Sequence, residues 1–369
     1  MAQASTTASR EEHRFPCDRC GADYRFDPAS GALKCDHCGH SQTLGQGPWA
    51  GGAIRELDFD RAINDLLPQA EIARTRVLNC PNCAARVEFD PDTHAAECPF
   101  CATPVVTDTG ISRQIKPRGV LPFALDETSA CKAMTDWLGR LWFAPNGLRD
   151  YARKGRRMEG IYVPYWTFDA DTKSRYAGER GTIYHETRTV TRDGRQVQER
   201  VARIRWTRVS GRVARAFDDV LVLASHSLPK AYTDALQPWD LAALEPYQPH
   251  YLAGFRAEAY TVELVDGFRQ ARDQMDRVIA RDVRFDIGGN QQRIHDIATD
   301  ISDVTFKHIL LPVWLAAYKY RGKSYRFVVN GRSGQVQGER PWSAVKLAVA
   351  VVTGLLVAGG IGYLAAAGQ

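Results

Sequence analysis

Eight of the nine cysteines in this chain fall into two copies of one pattern, C-x2-C-x14-C-x2-C. The first copy is Cys17, Cys20, Cys35 and Cys38, and the second is Cys80, Cys83, Cys98 and Cys101. A shift of 63 positions superimposes every sulfur and carries Phe26-Asp27-Pro28 onto Phe89-Asp90-Pro91. A repeat in ligands and in the residues between them means two copies of one small module. Two residues between paired cysteines let a tight knuckle present both sulfurs to one ion, and four thiolates suit a closed tetrahedral zinc site. The 14-residue span suits a hairpin that returns the second knuckle, with Phe-Asp-Pro at its bend. The spacing therefore predicts two zinc ribbons holding two structural zinc ions. A disulfide framework is the competing use of eight cysteines, but the N-terminus MAQASTTASREEHR is polar and lacks the apolar stretch of a secretory signal. A reducing compartment is expected, where such spacing favours metal. His37, His40 and His94 lie nearby and read as surface residues, because each site already has four sulfurs.

At the other end, Leu347 to Ala367 is an uncharged run of 21 residues. A helix of that length is about 31 Å long, close to a bilayer's hydrocarbon core. Arg340, Trp342 and Lys346 flank its N-terminal side, and the positive-inside bias then keeps the bulk of the chain in the cytoplasm. The expectation is a tail-anchored, single-pass protein of the inner (cytoplasmic) membrane. Gly354, Ala358, Gly362 and Ala366 recur every fourth residue, a face on which another helix can pack closely.

Between these ends the chain reads as multidomain. The expected plan is a disordered segment at 1–16, ribbon 1 at 17–40, a linker with a short helix at 41–78, ribbon 2 at 79–106, an α+β domain with mainly antiparallel strands at 111–340, and a transmembrane helix at 344–367. GQGPWAGG at 45–52 is linker-like, and Asp58 can cap a short helix carrying Phe59, Ile63, Leu66 and Leu67 on one face. Asp126 is a second N-cap, for a helix with Ala130, Met134, Trp137, Leu138, Leu141 and Trp142 in one stripe, ended by Pro145-Asn146-Gly147. Cys131 borders that stripe as a core thiol. Strands are expected at Ile161–Phe168, Thr182–Thr191, Gln196–Val209 and Val220–Ala224, with a hairpin turn at Asp193-Gly194. A helix around Val262–Ala280 carrying Val265, Phe268, Met275, Val278 and Ile279 precedes strands at Ile309–Tyr320, Lys323–Asn330 and Gln335–Gln337. Ile161-Tyr-Val-Pro164-Tyr-Trp166 echoes Ile309-Leu-Leu-Pro312-Val-Trp314 at a shift of 148. The echo marks either two related β units or the common use of proline at an edge strand and tryptophan in a core, and the second reading is slightly favoured.

Enzymatic signatures are absent. Gly322-Lys323-Ser324 lacks the first glycine of a phosphate loop, His185-Glu186 has no second histidine four residues on, and no serine sits in a GxSxG elbow. Ser225-His226-Ser227 with Asp218 and Asp219 upstream imitates a hydrolase, but adjacent strand residues point to opposite faces. No catalytic residue is expected. Residues 1–110 hold 10 Lys+Arg against 16 Asp+Glu, so the rest of the chain carries +11 to reach the total of +5. An acidic ribbon pair is a poor polyanion binder. The basic charge lies instead at Arg149, Arg153, Lys154, Arg156 and Arg157, and at Arg195, Arg200, Arg203, Arg205 and Arg208, where Arg203 and Arg205 alternate with Ile204 and Trp206. A solvated face is the favoured reading of these residues, and contact with anionic lipid through Arg203 and Arg205 is the functional alternative on a tethered domain.

The knuckles CDRC/CDHC and CPNC/CPFC, followed by GIYVPYWTFDADTKSRYAGERG, VSGRVARAFDDVLVLAS, PYQPHYLAGFRAEAY and LLPVWLAAYKYRGKSYRFVVNGRSGQVQGERPWS, resemble bacterial membrane proteins with a TFIIB-type zinc ribbon. The resemblance covers nearly the whole chain. Relatives of this kind are sometimes labelled primosomal protein N' or replication factor Y helicase-like, although this chain has no phosphate loop for an ATPase. Such proteins often occur beside SPFH-domain and PspA-like phage-shock proteins, which implies a protein partner of that kind and a role in membrane-stress scaffolding. Ala84 and Ala102 stand after the second ribbon's knuckles where ribbons often have glycine. The sequence thus leads to a non-enzymatic zinc-ribbon adaptor. Nucleic-acid binding related to replication or transcription is the alternative, and an enzyme in the α+β domain is third.

Overall fold

The computed structural model describes residues 15–44, 54–80, 82–88, 95–101, 103–106, 109–141, 158–192, 195–320, 323–339 and 343–367. Residues 1–14 of the expected disordered segment, the 45–52 linker, the Pro145-Asn146-Gly147 stop and the Asp193-Gly194 turn lie outside the described residues.

Ribbon 1 is a three-stranded sheet of β1 (Tyr24–Asp27), β2 (Ala32–Cys35) and β3 (Ser41–Thr43). Next come β4 (Leu57–Asp58) and the short helix α1 (Phe59–Ile63). Asp58 caps α1 as expected, accepting from the Arg61 amide at 2.7 Å, and Phe59 is buried. Ile63 and Leu66 are exposed, because α1 ends after five residues and the apolar stripe is not continued. Ribbon 2 is built from β5 (Ile72–Asn79), β6 (Arg86–Glu88), β7 (Ala95–Glu97), β8 (Pro104–Val106) and β9 (Thr109–Ile115), with β5 between β6 and β9 and β7 paired to β8.

The rest of the chain is β10 (Gly119–Val120), α2 (Glu127–Arg140), β11 (Glu159–Arg192), β12 (Arg195–Leu223), α3 (Lys230–Asp234), β13 (Glu245–Pro246), β14 (Arg256–Ala257), α4 (Leu264–Ile287), β15 (Gln291–Tyr320), β16 (Lys323–Asn330), β17 (Val336–Gly338) and α5 (Ala344–Ala367). Among the described residues these strands, with β4, make one nine-stranded sheet around the antiparallel order β12-β11-β15. The segments expected as four separate strands are two continuous ones, β11 of 34 residues and β12 of 29. At about 3.3 Å per residue β11 is about 110 Å long. Residues 170–176 hide the continuity in the sequence, because the buried side is Ala170, Thr172, Ser174 and Tyr176, too polar to show a hydrophobic period.

Those modest side chains are covered by α4, which packs on β11, β12 and β15. Its buried stripe is Leu264, Gly267, Ala271, Met275, Ile279, Val283 and Ile287, spaced by four after the first step. It runs seven residues past the expected end at Ala280, and Val265, expected in the stripe, is half exposed. Gly267 lies against the Trp166 indole, and a Cβ there would sit 2.6 Å from Cδ1.

The 148-residue echo is structural. Ile161 pairs with Val313 and Tyr165 with Ile309, so the shift maps β11 onto β15 about an axis through the Val163–Leu311 pair. β14 pairs parallel to β11 at Ile161 and Tyr162, as β10 does to β15 at Ile309 and Leu310. The Trp166 indole donates to the Val262 carbonyl just before α4, and Trp314 donates to Leu125 just before α2, both at 2.9 Å. The sheet is thus two related β-α-β-β units around a pseudo-twofold axis. The favoured sequence reading is corrected, since Pro164 and Pro312 sit in central strands.

One feature breaks this symmetry. Beyond Asp169 the sheet narrows to β12-β11-β15 with α4 on one face. β15 pairs as far as Gln291 opposite Gly181, and among the described residues β11 and β12 continue alone to the Arg192–Arg195 pair. This projecting arm, residues 171–217 with the start of β15, ends in a two-stranded stretch about 36 Å long.

The C-terminal expectation is corrected. Helix α5 forms where a helix was expected, but among the described residues no helix is long and apolar enough to cross a membrane. A single-pass inner-membrane placement anchored through 347–367 is not supported. The expected fold class changes with it, because the chain is mostly sheet and lacks a demonstrated span.

Candidate metal centres

Each knuckle is shaped by its backbone. In ribbon 1 the Cys17 carbonyl accepts from the Gly21 amide at 2.8 Å, and the Cys35 carbonyl accepts from Gly39 at 2.9 Å. Both glycines have positive φ, 75° and 72°, the conformation that folds the chain back under the sulfurs. In ribbon 2 the Cys80 carbonyl accepts from the Ala84 amide at 2.9 Å, and Ala84 adopts the same left-handed conformation at φ 57°. Ala84 therefore bears a strain that Gly21 does not. Ala102 lies outside the described residues.

The folded knuckles bring together the cysteines that the spacing paired. Cys17 and Cys38 Sγ are 3.6 Å apart, Cys20 and Cys35 3.5 Å, Cys80 and Cys101 3.5 Å, and Cys83 and Cys98 3.6 Å. All four sulfurs of each group lie within 4.8 Å of one another. Tetrahedral zinc with Zn–S near 2.3 Å requires sulfurs about 3.8 Å apart, so both groups fit such an ion. All the cysteines are free thiols. In ribbon 2 the Cys98 thiol donates to Cys83 and holds it down at about 5, while Cys98 is pushed up by the same contact. The two groups fit tandem zinc ribbons, and His37 and His40 belong to neither. Cys131 is half buried on α2, and burial, then Glu127 and Asp126, raises its thiol.

Both ribbons dock on one short segment of the sheet domain. The Phe26 amide of ribbon 1 donates to the Ala253 carbonyl at 2.9 Å, and the Phe26 ring meets Tyr251 edge-on at 5.4 Å. From ribbon 2 the Arg86 carbonyl accepts from the Ala259 amide at 2.9 Å, and Val87 bridges to Glu258. β14 lies between these contacts and pairs with β11. Cys17, Tyr24, Phe26 and Leu33 share a core with Phe123 and Trp314, while Val87, Cys98 and Phe100 share one with Leu223 and Val328. The apolar faces of the ribbons are used inside the chain.

Two polar clusters lie outside the metal centres. Asp169, Asp218 and Asp219 form a third group with ligand spacing, but Lys307 occupies it. Its Nζ is 2.8 Å from Asp219, 2.9 Å from Glu56 and 3.6 Å from Asp169. Burial opposes the Lys307 charge, yet bonds to Asp219 and Glu56 raise its pKa. Burial and Glu56 push Asp169 up to about 6. Burial would raise Glu56 as well, but hydrogen bonds from Asp169, Thr305 and Lys307 overcome it and hold that carboxyl at about 2. The hydrolase-like residues are separated: Ser225 and Ser227 are buried 2.9 Å apart, and His226 is exposed. Ser225 donates instead to Glu258 at 2.6 Å, and burial drives that carboxyl up to about 8. Sequence reasoning missed the buried Glu258, since a single acid between two alanines carries no burial signal.

A cleft of about 340 Å³ between β12 and α4 is lined by Phe217, Asp219, Leu221, Trp239, Gln274 and Met275. Its one carboxylate, Asp219, is already paired with Lys307.

The basic residues singled out in the sequence lie on the arm where they are described. Arg203 pairs with Glu186, and the Arg205 guanidinium lies 5.1 Å from the Tyr184 ring centroid. Arg200 and Arg208 are exposed, whereas Arg149, Arg153, Lys154, Arg156 and Arg157 lie outside the described residues.

No family model matches this chain, and no solved structure matches it. The chain is similar to the uncharacterized protein YdjG of Bacillus subtilis (strain 168), with 25% identity over 344 residues covering 90% of this chain and 92% of that protein.

Proposed function

We propose that the chain is a non-enzymatic adaptor in which two zinc ions brace the ribbons against a duplicated sheet and the arm is the element that meets a partner. The observation that carries this reading is the arm itself, which breaks the pseudo-twofold symmetry and extends far beyond any core it helps to bury. Because the ribbons' apolar faces are occupied internally, their task in this reading is to hold the base of the arm rather than to recruit. The partner is a protein complex, of the SPFH or PspA-like kind that the sequence resemblance implies.

A second reading is nucleic-acid binding by the same arm, favoured by its charge. Residues 171–217 contain twelve Lys+Arg and five Asp+Glu, a formal +7. One experiment separates the two. Residues 182–205 are replaced by an Asn-Gly turn, which suits the facing pair Gly181 and Trp206, and crosslinked capture is compared for the full and shortened chains. The adaptor reading expects a protein partner retained by the first and lost by the second, with two zinc ions in both. Salt-sensitive oligonucleotide binding without a protein partner would replace it with the second reading.

A further inference from the structure

Strand β12 is an open edge. It ends the strand order, and among the described residues no strand pairs with its outer side. From the Ala170–Phe217 pair to the Arg192–Arg195 pair its register on β11 runs without a bulge, and no proline stands between Arg195 and Leu223. Bulges and prolines are among the devices that close a sheet edge to further pairing. Here charge is used instead, and it has a single sign: from Arg200 to Arg215 the strand carries six arginines and no acid. Such an edge repels a second copy of itself and leaves its outward amides and carbonyls open to an acidic strand.

The arginines divide into two sets. Arg203 pairs with Glu186, the Arg205 guanidinium stands over Tyr184, and Arg215 binds Asp282 of α4 at 2.6 Å. Their odd positions put them on the α4 side of the sheet, where Val209 and Val213 pack. Arg200, Arg208 and Arg212 are exposed on the other face and, among the described residues, enter no ion pair. Glu179, opposite Arg208, is held by Arg293 at 3.6 Å, and Arg212 faces Arg175. Like charges directly opposite one another are destabilising, so Arg212 gains most from an acid on its open side. Ile204 lies midway between Arg200 and Arg208 on this same face, exposed beside its cross-strand neighbour Ile183. The edge therefore presents cation, apolar, cation and cation at steps of four residues, from Arg200 through Ile204 and Arg208 to Arg212.

We propose that the outer edge of β12 takes an extended acidic segment of a partner protein as an added antiparallel strand. The proposal rests on reading the arm as the element that meets a partner, and it names how that partner is held. The segment of about 13 residues lies against Arg212, Arg208, Ile204 and Arg200 in its own N-to-C order, and the steps of four then fix its pattern. It carries an acid first, a second acid four residues on, an apolar residue after four more and a third acid at its end. Side chains directly opposite across an antiparallel pair share a face and stand about 5 Å apart, within reach of an ion pair. Main-chain bonds along the edge supply affinity, and the alternate side chains supply selection.

The test uses the full-length chain and a fluorescent synthetic peptide of about 13 residues, built on threonine and serine with glutamate at its first, fifth and last positions and isoleucine at its ninth, read by anisotropy. Saturable binding that weakens as salt rises is expected. An analogue with two adjacent prolines at its centre keeps every charge but lacks an amide in whichever alternate set faces β12, and it should not bind. Arg208→Glu combined with Arg212→Glu, with circular dichroism confirming the fold, should weaken binding at least about tenfold, since two favourable cross-strand pairs become repulsive. Lysine in place of the first two glutamates of the peptide should restore binding to that variant. No binding to the wild type, equal binding of the proline analogue, undiminished binding by the variant, or no recovery with the lysine peptide would overturn the proposal. A single-stranded oligonucleotide that binds the wild type more tightly than the peptide and loses affinity in the same variant would replace it with nucleic-acid binding at this edge. Arm-dependent capture of a protein partner is a separate measurement that can succeed when these fail, so the adaptor reading is tested independently.

Discussion

Pro164 and Pro312 do the same thing on opposite sides of the pseudo-twofold axis. The Pro164 carbonyl accepts from the Ala224 amide at 3.0 Å, and Pro312 accepts from Gly331 at 2.9 Å. In an ordinary antiparallel pair each strand residue would return a bond, but proline has no N–H. The Ala224 carbonyl accepts instead from Thr261 and Val262, and the Gly331 carbonyl from Ala124 and Leu125. Each proline thus releases a carbonyl to hold the segment entering a helix. That is why a proline is tolerated in a central strand here.

Zinc content should be two per chain, and Cys20→Ser or Cys83→Ser should each remove one. Since both ribbons hold the segment around β14, either loss should also lower the unfolding temperature of the sheet domain. Metal analysis with calorimetry checks both parts. An unchanged sheet transition would show that the ribbons fold independently.

Ala84, which follows the first knuckle of ribbon 2, offers a test of backbone strain. Ala84→Gly should stabilise ribbon 2 by about 1 kcal/mol, and Gly21→Ala should destabilise ribbon 1 by a similar amount. Chelator competition, which reads metal loss from each ribbon, should move in opposite directions for the two variants.

Glu258 should make stability depend on pH. Its carboxyl has an ordinary value of 4.5 and holds its proton to about 8 in the fold, because it is buried. Unfolding between those values releases a proton, so stability should fall as pH rises through the window, by up to about 1.4 kcal/mol per pH unit. Glu258→Gln should flatten this slope in denaturant titrations at pH 5 to 8. An equal slope in the variant would refute the assignment.

Lys307→Met should cost about 3–5 kcal/mol, the range for removing one partner of a buried ion pair. It leaves Glu56, Asp169 and Asp219 facing one another without their cation. Lowering the pH should recover part of the loss as Asp169 protonates, and urea unfolding at two pH values measures both effects.

What the sequence determined by itself was local. Knuckle spacing is a short-range property, so all eight metal-suited cysteines were legible, and so were the Asp58 and Asp126 caps, each bonded to an amide three residues on. The tertiary structure decided whatever depends on distant partners. The middle of β11 read as a break because its buried side is alanine, hydroxyls and one tyrosine, and only α4, about a hundred residues later, makes that side a core. The pseudo-twofold relation needed the register of β11 on β15 to turn a three-residue echo into paired units. Glu258 became a buried acid only when ribbon 2 and β11 closed around its segment. An uncharged C-terminal run sets helix propensity, which α5 shows, but composition alone did not establish a membrane span. Alternation and spacing act over a few residues, whereas burial, pairing and charge compensation are set by the elements that the fold brings from elsewhere in the chain.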